Sequence, residues 1–133
     1  MPMSRKAISK KIREAVKARF GGLCGYCGKH PNRLEVDHIE PVRNCPYRRP
    51  GLDPNEEENL MPACPACNNF KTTMTLEEFR EQLGMQVERG RKNSVNFRLA
   101  ERFQQIQATE SPIVFHFERI ANEQRQPATK ESL

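Results

Sequence analysis

The chain has 133 residues, one domain's worth or one domain with a small appendage, and its 36 % apolar fraction without tryptophan implies a modest core. A core that thin leans on a metal or on cross-links. The net charge of +5 and pI near 9.1 suit a phosphate-rich partner, while no apolar run and no apolar leader argue for a membrane or for secretion. A soluble cytoplasmic protein with reduced thiols is therefore expected, a setting that favours metal over disulfide for paired cysteines.

Residues 1–22 read as a basic N-terminal region. Met1–Lys6 is a short mobile lead, and Ser9 to Phe20 has helical periodicity. Ile12, Ala15, Val16 and Phe20 share one face of it, and Gly21-Gly22 stops it. Lys10, Lys11 and Arg13 on the other face are solvated or touch phosphate. Residues 23–75 hold the chemistry. Cys24 and Cys27 sit in a glycine-rich turn, and Leu34 to Ile39 alternates as a strand that Pro41 ends. A polar loop follows from Arg43 to Glu58. Its Arg43, Arg48 and Arg49 are phosphate clamps or merely solvated, and Cys45 is an unliganded thiol. Leu60-Met61 is a short returning strand. Pro62 to Thr73 carries Cys64 and Cys67 in a second turn that feeds a helix from Pro65 or Ala66.

Residues 76–120 read as a helical and strand extension. Thr75 with Glu78 is a capping-box pattern, so Leu76 to Leu83 should be a helix buried through Leu76, Phe79 and Leu83 and closed by Gly84. Ser94 caps a further helix to about Gln107, with Leu99, Phe103 and Ile106 inward. The alternation of Ile113, Phe115 and Phe117 favours a strand with His116 on its exposed face, a helix being the alternative. Residues 121–133 read as a disordered polar tail.

Two Cys-x-x-Cys pairs separated by 36 residues are a strong metal signal. Zn²⁺ takes four soft ligands in a tetrahedron, and each turn supplies two sulfurs. Cys24, Cys27, Cys64 and Cys67 leave no open position, so this zinc is structural. A redox pair is the alternative, and His30 is a weaker substitute ligand.

The ordered set Cys24-x-x-Cys27, Val36-Asp37-His38-Ile39, Glu58-Asn59-Leu60 and Cys64-x-x-Cys67-Asn68-x-x-Lys71 resembles the HNH endonuclease family over about a third of the chain. The resemblance implies an α+β fold: a ββα-metal core with the four-cysteine zinc site, flanked by helices. It implies hydrolysis of nucleic-acid phosphodiesters, with His38 as general base and Asp37 as a metal ligand. It makes Asn59 the asparagine that ties the loop and orients His38. Asn68 stands where the plain pattern has its last histidine. An amide oxygen beside a carboxylate favours Mg²⁺ or Mn²⁺ over a second zinc.

Histidine suits proton removal from water near neutral pH. Neighbouring strand residues face opposite sides, so the strand should end or twist at Asp37-His38. Lys71 contacts phosphate or is solvated. The expected partner is DNA. One nick needs one site, whereas a double-strand break needs two copies or two successive nicks, so a homodimer stays open. The alternative from another class is a non-catalytic, zinc-stabilised nucleic-acid-binding module; a zinc-stabilised protein-interaction domain is a third reading.

Overall fold

A computed structural model describes residues 7–41 and 53–125. Arg43, Arg48, Arg49, Cys45, the lead Met1–Lys6 and the tail beyond 125 lie outside the described residues. The chain divides into two compact units, one running up to Thr75 and resuming at Val114, the other spanning Leu76–Ile113.

The first unit starts with helix α1, Lys10–Ala18. Ser9 caps it, its side-chain oxygen accepting from Ile12 N at 3.2 Å. Val16 is its buried residue, and Gly21 and Gly22 end the segment at φ +63° and +89°, where a side chain would be strained. Arg19 then staples this end to the core by donating to Leu60 O at 2.7 Å and Glu57 O at 3.1 Å.

Strand β1, Glu35–His38, pairs antiparallel with β2, Leu60–Ala63, with Asp37 opposite Met61 and His38 opposite Leu60. The strand ends at His38, with Asp37 and His38 both inside it, close to the end or twist expected at this pair. All four residues of β2 are buried. A 3₁₀ turn at Glu57–Asn59 leads into it. Helix α2, Pro65–Lys71, follows at once, with Pro65 in its first turn and Cys64 as N-cap. These elements form a mixed α+β fold with a ββα-like core.

The alternating Ile113–Phe117 run is not a strand. Helix α6, His116–Arg125, begins inside it and runs on into the polar segment. Phe115 N donates to the Glu118 carboxylate at 2.9 Å, a helix-start bond that the period-2 pattern hides. The free N–H groups of the first turn then dock on the first cysteine turn, His116 N to Tyr26 O and Phe117 N to Gly25 O, both at 2.9 Å. Tyr26 meets Phe115 and Phe117 edge-on. His116, expected on an exposed face, is half-buried, its ring 5.5 Å from that of Phe20.

The second unit holds α3, Leu76–Gly84; α4, Gln86–Asn93; and α5, Val95–Arg102. Phe79 is buried as expected, whereas Leu76 and Leu83 are half-buried. Ser94 caps α5 by accepting from Phe97 N at 3.1 Å. That helix ends short of Gln107, because Gln104 takes φ +60° and the chain turns, with Gln105 N bonding back to Ala100 O. Leu99, Phe103 and Ile106 are consequently exposed rather than inward, Phe103 by 74 %. The side of α5 that packs carries Phe97 instead, whose ring lies so close to Gly90 of α4 that a Cβ there would sit 2.7 Å from it.

Candidate metal centre and nuclease site

The two cysteine turns converge. The Sγ atoms of Cys24, Cys27, Cys64 and Cys67 all lie within 4.8 Å of one another, and Cys27 Sγ is 3.9 Å from Cys64 Sγ. Thiolates at about 2.3 Å from a tetrahedral Zn²⁺ stand roughly 3.8 Å apart, so the four sulfurs fit that ion. Each turn is shaped by its own backbone. Tyr26 N and Cys27 N point at Cys24 Sγ, and Cys67 N points at Cys64 Sγ, all at 3.4 Å. Gly28 sits at φ +77° where the first turn closes. Gly25 is forced by contact, since a Cβ would collide with Met61. The cluster is electrostatically frustrated by itself. A hydrogen bond from Cys67 pulls the Cys24 thiol down to about 4, while that same bond and burial push Cys67 up. Burial raises Cys27 as well. A dication at the centre would remove this conflict by letting all four ionise.

Helix α2 runs alongside β1, and the contacts between them define two steps. At the first, Asn68 Nδ2 donates to Glu35 Oε1 at 2.8 Å, a bond that holds the Glu35 carboxyl below its ordinary range. At the second, Lys71 meets Asp37. Lys71 is completely buried; its Nζ lies 3.0 Å from Asp37 Oδ2 and donates to His38 O at 2.9 Å. The phosphate-facing or solvated lysine expected from the sequence is thus committed internally. Tyr26 OH donates to the same Asp37 oxygen at 2.6 Å. Burial first, then the Asp37 charge, pushes the Tyr26 hydroxyl far up, so it remains a donor.

Asp37 and Asn68 are hard-oxygen donors on facing elements, the kind that Mg²⁺ or Mn²⁺ takes. Both contacts to Asp37 fall on Oδ2, leaving Oδ1, and the Asn68 contact uses its nitrogen, leaving its oxygen. The donor set therefore fits a hard cation, although the Lys71 ammonium beside Asp37 opposes a second positive charge there.

His38 faces a different set of partners. Its Nε2 lies 2.8 Å from Asn55 Oδ1. Asn59 does not touch the ring. Its buried carboxamide clasps the chain after β1, accepting from Glu40 N at 2.8 Å and donating to Glu40 O at 3.1 Å and Pro54 O at 2.9 Å. Its backbone oxygen accepts from Ile39 N at 2.8 Å. Asn55 escaped the sequence reading. The only signal was its place four residues before Asn59, which decides nothing without the fold. Lys10, Lys11 and Arg13 are exposed along α1.

The model of the family described as HNH endonuclease matches residues 24–73. That stretch, less than half of the chain, is similar to an HNH endonuclease domain. It holds both strands, helix α2 and all four cysteines of the cluster. No curated protein and no solved structure matches the chain. No helix among the described residues is long and apolar enough to cross a membrane.

Proposed function

We propose that the HNH domain is a metal-dependent endonuclease that hydrolyses phosphodiester bonds in DNA, with His38 as general base. What carries this reading is the family match to a stretch in which His38 ends β1 beside Asp37 and Asn68 projects from the facing helix. His38 takes a proton from the attacking water, a role worth about 10²- to 10⁴-fold in rate. Asp37 and Asn68 would hold Mg²⁺ or Mn²⁺, which when bound stabilises charge on the phosphate and the leaving oxygen. Asn59 fixes the loop behind the base. The four-cysteine site holds a structural zinc and takes no part in the chemistry. Lys10, Lys11 and Arg13 on α1, together with Arg43, Arg48 and Arg49, supply sequence-independent phosphate contacts. The reduced thiols fit a cytoplasmic setting.

Incubation of zinc-loaded protein with supercoiled plasmid, with and without added Mg²⁺ or Mn²⁺, tests this. Cation-dependent nicking or cutting is expected. His38→Ala should abolish it while zinc content and melting curve stay as in the parent. Full cleavage by that variant would rule out His38 as the base. Salt-sensitive DNA binding without cleavage would instead favour the zinc-stabilised binding module.

A further inference from the structure

A neutral imidazole has one N–H and one lone pair, and only the nitrogen with the lone pair can accept a proton. Which nitrogen that is depends on what the other one bonds to. In this chain the partner of His38 Nε2 is a carboxamide oxygen, Asn55 Oδ1, at 2.8 Å. A carbonyl oxygen can only accept. The bond exists when Nε2 carries the hydrogen, and this leaves the lone pair on Nδ1.

Asn55 is itself held in place. Its backbone N donates to Asp53 Oδ1 at 3.0 Å, and Glu56 N donates to Asp53 O at 3.0 Å. The preceding carbonyl, Pro54 O, accepts from Asn59 Nδ2 at 2.9 Å. Asn59 N in turn donates to Glu56 O at 2.9 Å. The segment 53–59 is therefore a closed set of bonds with the Asn55 oxygen aimed at the ring. On the other side, the His38 backbone is fixed by Lys71 Nζ on its carbonyl. Ring and backbone are thus gripped from two different elements.

We infer that Asn55 is the positioning residue of the base: it holds His38 as the Nε2–H tautomer, so that Nδ1 is the atom that accepts the proton. The inference rests on His38 being the base, but the tautomer itself is measurable without any reaction. The work done by the two asparagines divides accordingly. Asn59 shapes the backbone and acts on the ring only through Pro54 and Asn55.

The test uses full-length, zinc-loaded protein labelled with ¹⁵N at histidine, in mildly alkaline buffer. Two-bond ¹H–¹⁵N correlation spectra report which ring nitrogen is protonated. His38 should show a protonated Nε2 and a bare Nδ1. A protonated Nδ1, or an even mixture, overturns the inference. In Asn55→Ala the preference should fall by about tenfold, the worth of one hydrogen bond, with zinc content and melting curve unchanged. Its kcat for plasmid nicking should fall by a similar factor, with little change in KM. Asn55→Asp, which keeps an acceptor oxygen, should retain the tautomer, while Asn55→Leu should lose it. Unchanged spectra in both Asn55→Ala and Asn55→Leu also overturn the inference. If the spectra behave as expected yet the parent protein cleaves no DNA, the tautomer assignment stands and the nuclease reading falls.

Discussion

The two units of this chain are built on opposite principles. The unit that contains residues 24–73 buries polar groups and binds each one: Tyr26, Asp37 and Lys71 form one cluster, Asn59 clasps both sides of a loop, and four thiols face one centre. The unit at Leu76–Ile113 does the reverse. Neither α4 nor α5 has a buried residue, and Val95, Leu99, Phe103 and Ile106 are exposed. Its helices are held by caps, by the Phe97–Gly90 approach and by surface pairs such as Arg91 with Glu101. A buried polar network tolerates no missing member, whereas local helix chemistry degrades gradually. The same kind of substitution should therefore have very different consequences in the two units.

The largest effect is expected at the cysteines. Cys64→Ser removes one thiolate while keeping an oxygen that can cap α2, and zinc binding energy is in large part folding energy. The variant should lose zinc and the cooperative unfolding of the first unit; an unchanged melting curve would refute the four-cysteine site. Next comes Lys71→Met. It leaves Asp37 buried without its cation, and losing one partner of a buried pair costs about 3–5 kcal/mol. Urea denaturation reads this directly. In the double variant Asp37→Asn/Lys71→Met, part of the loss should return, because no unpaired charge remains. In the second unit, Gly90→Ala drives a methyl into the Phe97 ring and should cost about 1–3 kcal/mol, as overpacking does. The smallest effect belongs to Arg91→Gln. Its pair with Glu101 lies at the surface, where such pairs contribute little, so the denaturation midpoint should not move measurably. A large shift there would erase the contrast between the units.

The sequence displayed the parts of the first unit whose chemistry is local. Cysteine spacing announced the metal cluster, and alternation from Leu34 announced β1. The opposite faces that an ideal strand would give Asp37 and His38 pointed to an end or twist there, and β1 ends at His38. What it hid depends on register between distant segments. Lys71 reads as a surface cation until α2 is laid against β1, which brings its ammonium to Asp37 and the His38 carbonyl. Asn55 reads as a turn residue until the loop is folded back onto the strand. Helix α4 has only Val87 as an apolar signal, so its pattern is silent. At Ile113–Phe117 two phenylalanines packed on Tyr26 imitate strand alternation while the backbone is starting a helix.

The clasp made by Asn59 has a consequence for how such a protein can diversify. One side chain grips the chain at Glu40 as it leaves the strand, and at Pro54 as it returns. Whatever is threaded between those points closes against anchors that are already fixed. The entropic cost of a longer loop rises only logarithmically, about 0.6 kcal/mol for each doubling. The clasp therefore fixes the positions of Glu40 and Pro54 on either side of His38's loop by side-chain bonds from a single buried residue.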